Sequence, residues 1–156
     1  MGLNSINIKD LTISINEVIK NSNLFDGYEL FEQRSVEIKS PTVIFQYDNI
    51  YINKLKNRWL FLRIEDYFKN QRIIIWINKL QDKDVSNLDV ENYFIKNLNK
   101  NKIKQKMIFS VDKLDDFQKT FRDIVQFIED NSDEVLKNIF NGSLWIKQNF
   151  DWNGYK

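Results

Sequence analysis

The chain has 156 residues, neither histidine nor cysteine, and 23 basic against 22 acidic side chains. Those absences exclude Ser-His-Asp and Cys-His catalysis, imidazole and thiolate metal sites, and disulfides. A net charge of +1 argues against a globally basic nucleic-acid binder, and an apolar fraction of 42% is enough for the core of one domain. Alanine is missing as well, so helices must be held by tertiary packing rather than by propensity.

In chain order, Asp10 is the expected cap of a helix running to about Asn21, with Leu11, Ile15, Val18 and Ile19 on one face. Phe25-Asp26-Gly27-Tyr28 reads as a turn. Strand patterns follow. Val36 and Ile38 alternate with Glu37 and Lys39, and Ser40-Pro41 interrupts them. Val43-Ile44-Phe45 runs to a turn at Asp48-Asn49, and Ile50-Tyr51-Ile52 comes after it. Trp59–Ile64 and Arg72–Ile77 are the strongest strands, and short polar connectors imply an antiparallel meander. The longest clean apolar run, Ile73–Ile77, is a strand's length and far below the ~18 residues of a membrane span.

The pattern then returns to helix. Ser86 is the expected cap of a segment carrying Val90, Phe94, Ile95 and Leu98, and Lys102–Val111 reads as one more strand. Leu114, Phe117, Phe121, Ile124, Val125 and Ile128 recur at helical spacing, so the next helix is the most strongly specified element. A short helix over Asp133–Phe140 stops at Asn141-Gly142. The fold class expected is α+β, one domain over residues 1–156. It comprises an N-terminal helix, an antiparallel sheet of about four to six strands, and C-terminal helices packed on one face.

Three surfaces offer chemistry. Residues 112–134 hold eight acidic side chains against Lys113, Lys119 and Arg122, a charge that steers a complementary protein partner. Asp112, Asp115 and Asp116 are also expected to cap that helix. On the basic side, Lys96, Lys100, Lys102, Lys104 and Lys106 face only Asp89 and Glu91 within residues 86–111. As a strand, this segment would align Lys102, Lys104 and Lys106 along one face, a stripe able to track phosphates or to guard a sheet edge. The third surface is the tail, where Trp145, Phe150, Trp152 and Tyr155 offer rings of the kind that dominate binding hot spots.

Two segments carry fragments of metal motifs. Asp82-Lys83-Asp84 opens like a calcium loop but has Asn87 where glycine is needed and Tyr93 where a bidentate Glu is needed. The Glu37-Ile38-Lys39 token, with Asp26 upstream and Glu17 on the preceding helix, resembles the PD-(D/E)xK nuclease family. The resemblance implies a carboxylate pair holding Mg²⁺ and an ammonium polarising water. It covers three short tokens, and the helix that follows the family's motif strand is replaced here by further strands.

The reading favoured by the sequence is a small cytoplasmic, non-enzymatic protein-binding module. Its expected role is that of an inhibitor or immunity-type protein that neutralises a partner, such as a basic toxin or enzyme, by occluding its active site. The binding residues expected are Asp115, Asp116, Asp123, Glu129, Asp130, Trp152 and Tyr155, with no cofactor, metal or membrane involved. The alternatives are the Mg²⁺-dependent nuclease and a nucleic-acid module built on the lysine stripe.

Overall fold

The sheet dictated by these patterns is laid out in a computed structural model that describes residues 6–37, 43–67, 70–80 and 87–146. Four long antiparallel strands form a meander in sequence order: β1 (Glu29–Glu37), β2 (Val43–Asn53), β3 (Arg58–Tyr67) and β4 (Gln71–Lys79). Two-residue strands β5 (Leu88–Asp89) and β6 (Ile108–Phe109) both pair with β4, at opposite ends of its far edge. The helices are α1 (Ile8–Lys20), α2 (Val90–Leu98), α3 (Ile103–Lys106), α4 (Leu114–Asn131) and α5 (Glu134–Phe140). No helix among the described residues is long and apolar enough to cross a membrane.

One face of the sheet is the floor of the core. Along β3 and β4 burial alternates residue by residue, placing Leu60, Leu62, Ile64, Ile73, Ile75 and Ile77 inward. Leu11, Ile15, Val18 and Ile19 of α1 and Phe117, Phe121, Ile124, Val125 and Ile128 of α4 close over them in a single cluster. The tyrosine hydroxyls inside this layer are satisfied, whereas Ser14 Oγ on α1 is buried without a partner. Tyr47 Oη and Thr12 Oγ1 lie 2.6 Å apart, and Tyr51 Oη donates to Asn16 Oδ1 while accepting from Asn49 Nδ2.

Several boundaries differ from the sequence expectation, each for a physical reason. Asn7, not Asp10, caps α1, its side chain accepting from Lys9 N at 2.8 Å. Asp48 and Asn49 are not a turn but lie inside the continuous β2. Both are buried, and Arg63 compensates Asp48. The real reversal is at residues 54–57, where Asn53 Oδ1 accepts from Lys56 N and Asn57 takes a positive φ. Asp89 caps α2, and the suggested cap Ser86 lies outside the described residues. Lys113 stands at the N-cap of α4 without a side-chain cap. Asp115 and Asp116 therefore act in the first turn through the helix dipole, and neither occupies the capping position. Lys102–Val111 is not a strand. Ile103 and Met107 are both buried four residues apart, which is helical spacing, so α3 forms there before the short β6.

The stop at Asn141-Gly142 is as expected, and Gly142 has φ +86. A Cβ at Gly142 would lie 2.5 Å from Lys56 O. Gly142→Ala is therefore expected to cost about 1–3 kcal/mol, read as a lower urea midpoint at unchanged m. A shift within error would show that this contact relaxes freely.

Candidate binding face on the sheet

The outward parity of β3 and β4 is not simply polar. Trp59, Phe61, Arg63 and Glu65 share one face of β3, beside Arg72, Ile74, Trp76 and Asn78 on β4, and all are half-buried. Across the register Phe61 stands opposite Trp76, and Ile50 on β2 stands opposite Phe61. The rings of Phe61 and Trp76 meet at 5.1 Å, and Phe31 from β1 meets Trp59 edge-on at 5.4 Å.

Arg63 organises the middle of this face. Its Nε donates to Asp48 Oδ1 at 2.9 Å and its Nη2 to Asp48 Oδ2 at 3.3 Å. The guanidinium lies over Phe61 at 5.4 Å and Trp76 at 5.3 Å. A planar cation held by a fork and stacked on two rings loses little further entropy on binding. The depression around it has a volume of about 450 Å³ and is lined by Arg34, Ile50, Trp59, Phe61, Arg63 and Trp76. The other arginines of the face are also paired, Arg34 with Glu32 at 2.8 Å and Arg72 with Glu91 at 3.3 Å. Apolar rings ringed by ion pairs are the anatomy of an interface with a dry centre and a polar rim.

Beyond the margin, β4 and α2 enclose a second hollow of about 510 Å³, lined by Ile74, Trp76, Ile95 and charged groups. Burial pushes the Asp89 and Glu91 carboxyls above their ordinary values, with Arg72 opposing the shift on each. Both acids already have structural work, Asp89 as the α2 cap and Glu91 in the pair with Arg72.

The residues singled out by sequence lie elsewhere. Asp115, Asp116, Asp123 and Asp130 are exposed and Glu129 is half-buried on the outer side of α4, turned away from the core that separates them from the sheet's aromatic face. Trp152 and Tyr155 lie outside the described residues, as do Phe150, Lys39 and the Asp82-Lys83-Asp84 segment. Trp145 packs against the core and stacks on Arg58 at 5.1 Å. The lysine stripe is dispersed. Lys100 Nζ donates to Asn131 Oδ1 at 3.0 Å, Lys106 sits over Phe127 at 5.0 Å, and in helical α3 Lys104 does not share a side with Lys102 and Lys106.

The backbone positions of the nuclease-like token are spread along the fold. Asp26 precedes β1 and Glu37 ends it, and a strand of nine residues spans about 25–30 Å. Glu17 accepts from Gln118 Nε2 instead. Among the described residues no three acidic side chains converge as metal ligands.

The aromatic face is hidden in the sequence because Trp59-Leu60-Phe61-Leu62 and Ile73-Ile74-Ile75-Trp76-Ile77 are apolar at both parities, so hydrophobicity alone does not mark which parity faces solvent. The available signal was Arg63 and Glu65 on one strand and Arg72 and Asn78 on the other. These polar residues mark the solvent parity on which the rings also stand. No protein-family model, no curated protein and no solved structure matches this chain.

Proposed function

We propose that the chain is a protein-binding module that docks a partner protein on the outer face of its sheet, in the manner of an inhibitor or immunity-type protein that covers the partner's working surface. One observation carries this reading: Trp59, Phe61 and Trp76 form a half-buried ring array on the outer parity of the sheet around an Arg63 fixed by Asp48. Tryptophan and arginine lead the residues that dominate binding energy, and sheet residues are held rigidly enough to act as preformed anchors. A nucleic-acid platform is less well supplied. Arg34, Arg63 and Arg72 are each engaged by a carboxylate, and the guanidinium of Arg63 already covers ring surface that a base would need.

The partner is captured from the native host on the tagged chain, and its affinity for variants is then measured. Trp59→Ala and Phe61→Ala are expected to weaken binding by about 30-fold or more each, the range of hot-spot truncations, with folding checked by circular dichroism. Charge reversal at Asp116 and Asp123 should leave the dissociation rate unchanged. If affinity survives both ring truncations and falls with charge reversal, the surface is α4 and the sheet-face reading is wrong.

A further inference from the structure

The outermost strand, β1, reads Glu-Leu-Phe-Glu-Gln-Arg-Ser-Val-Glu and pairs only with β2, so one of its edges has no strand on it among the described residues. Natural edges are commonly guarded by lysine or proline, and residues 29–37 contain neither. Apolar side chains are left in the open here. Phe31 is 58% exposed, Val36 53% and Leu30 38%.

The strand is also complementary to itself. Glu32 stands opposite Ile50 and Arg34 opposite Asp48, so both lie on the outer face, while Gln33, opposite Asn49, lies inward. An antiparallel pairing about a two-fold axis at Gln33 sets Glu32 against the partner's Arg34 and Arg34 against the partner's Glu32. The intrastrand pair of Arg34 and Glu32, at 2.8 Å, then becomes half of a four-charge ring of alternating sign. The register shift between Leu30 and Glu32 turns Phe31 onto the outer face, where it touches Trp59 and would stand beside the partner's Val36. The two most exposed apolar residues of the strand thus cover each other across the axis. The two-fold registers centred on the charged residues fail: an axis at Arg34 sets arginine against arginine, and one at Glu32 sets glutamate against glutamate, while axes at Phe31 or Ser35 form no Glu32–Arg34 pair.

We infer that β1 is a self-pairing edge on which a second copy of this chain docks antiparallel, through Glu32, Gln33 and Arg34, joining two sheets into one. A closed two-fold pairing of this kind uses up the open β1 edge of each copy, so no further copy can add there. It also places two copies of the aromatic face side by side.

Sedimentation equilibrium on the full chain tests the pairing. The wild type is expected to show a concentration-dependent dimer. Glu32→Arg and Arg34→Glu, each of which makes both symmetric charge contacts repulsive, should each weaken it by about tenfold or more. The decisive sample is an equimolar mixture of these two single variants. There the introduced arginine of one copy meets the introduced glutamate of the other, and the unchanged Arg34 of the first meets the unchanged Glu32 of the second. A heterodimer should therefore return at wild-type strength. A wild type that stays monomeric at the highest attainable concentration, single variants that dimerise unchanged, or a mixture that stays monomeric would each overturn the inference.

Discussion

Arg58→Met is expected to lower the unfolding free energy by about 3–5 kcal/mol, the largest effect of any single substitution away from the apolar core. Arg58 opens β3, is 2% exposed, and points inward under the end of α5. Its Nε donates to Ile139 O at 2.7 Å, its Nη2 to Leu144 O at 2.6 Å and its Nη1 to Asn57 O at 2.9 Å. The carbonyls of a helix's last turn have no partner within the helix and form the negative end of its dipole, so a buried guanidinium satisfies both deficits. Tyr28 Oη donates to Phe140 O at 2.7 Å beside it, and Trp145 covers the cation. A seven-residue helix has little stability of its own, so these donors decide whether α5 stays docked.

Methionine preserves apolar bulk but removes all three donors, which leaves Ile139 O and Asn57 O with backbone bonds from Gly142 N at 3.4 Å and Leu80 N at 3.1 Å and takes this donor from Leu144 O. Arg58→Lys should recover less than half of the loss, because one ammonium on a flexible stem cannot span three acceptors held in a fork geometry. Urea denaturation followed by circular dichroism reads both. A loss below about 1 kcal/mol for the methionine variant would mean that water replaces the guanidinium without cost.

The second large effect is alkaline. Tyr28, Tyr47 and Tyr51 are pushed above the ordinary 10.0 by burial, Tyr47 to about 12. Tyr93 is raised too, by burial and by the Asp133 carboxylate to which it donates. In the unfolded chain these phenols ionise near 10, so above that pH the folded state holds protons that the unfolded state has released. Stability is therefore complete below about pH 10 and declines as pH rises. The decline is about 1.4 kcal/mol per pH unit for each such group, or about 4 kcal/mol at pH 11 from the first three tyrosines alone. That is comparable with the whole stability of a domain this size.

The fold should therefore collapse cooperatively between roughly pH 10.5 and 12. Tyrosinate absorbance from four of the six tyrosines is expected to appear together with the loss of far-ultraviolet signal. Gradual titration of all tyrosines near 10 in a chain that keeps its helices would contradict the buried hydroxyl layer.

How far the structure could be read from sequence follows from how many constraints each segment carries. The body of α4, though not its cap, is legible because Phe117, Phe121, Ile124, Val125 and Ile128 recur at one period with charge on the opposite side. α1, β3 and β4 were legible for the same reason, and with them the one-sided α+β architecture. Asp48-Asn49 imitates a turn because nothing local shows that Arg63, fifteen residues on in β3, will pair with Asp48, or that the Tyr51 hydroxyl will accept from Asn49 Nδ2 inside the strand. Lys102–Val111 misled because alternating lysines imitate a strand, and only the burial of Ile103 with Met107 reveals the helical turn. For the binding surface, composition pointed to charge on α4. The ring array on the sheet needed register to become visible, since Trp59, Phe61 and Trp76 come together only across β3 and β4.

The most direct test of the proposed docking face is hydroxyl-radical footprinting of the chain with and without its captured partner. Oxidation of Trp59, Phe61 and Trp76 should drop sharply on binding, while side chains on the outer surface of α4 around Asp116, Asp123 and Asp130 keep their free reactivity. Unchanged oxidation of the three rings in the complex, with protection along α4 instead, would contradict it.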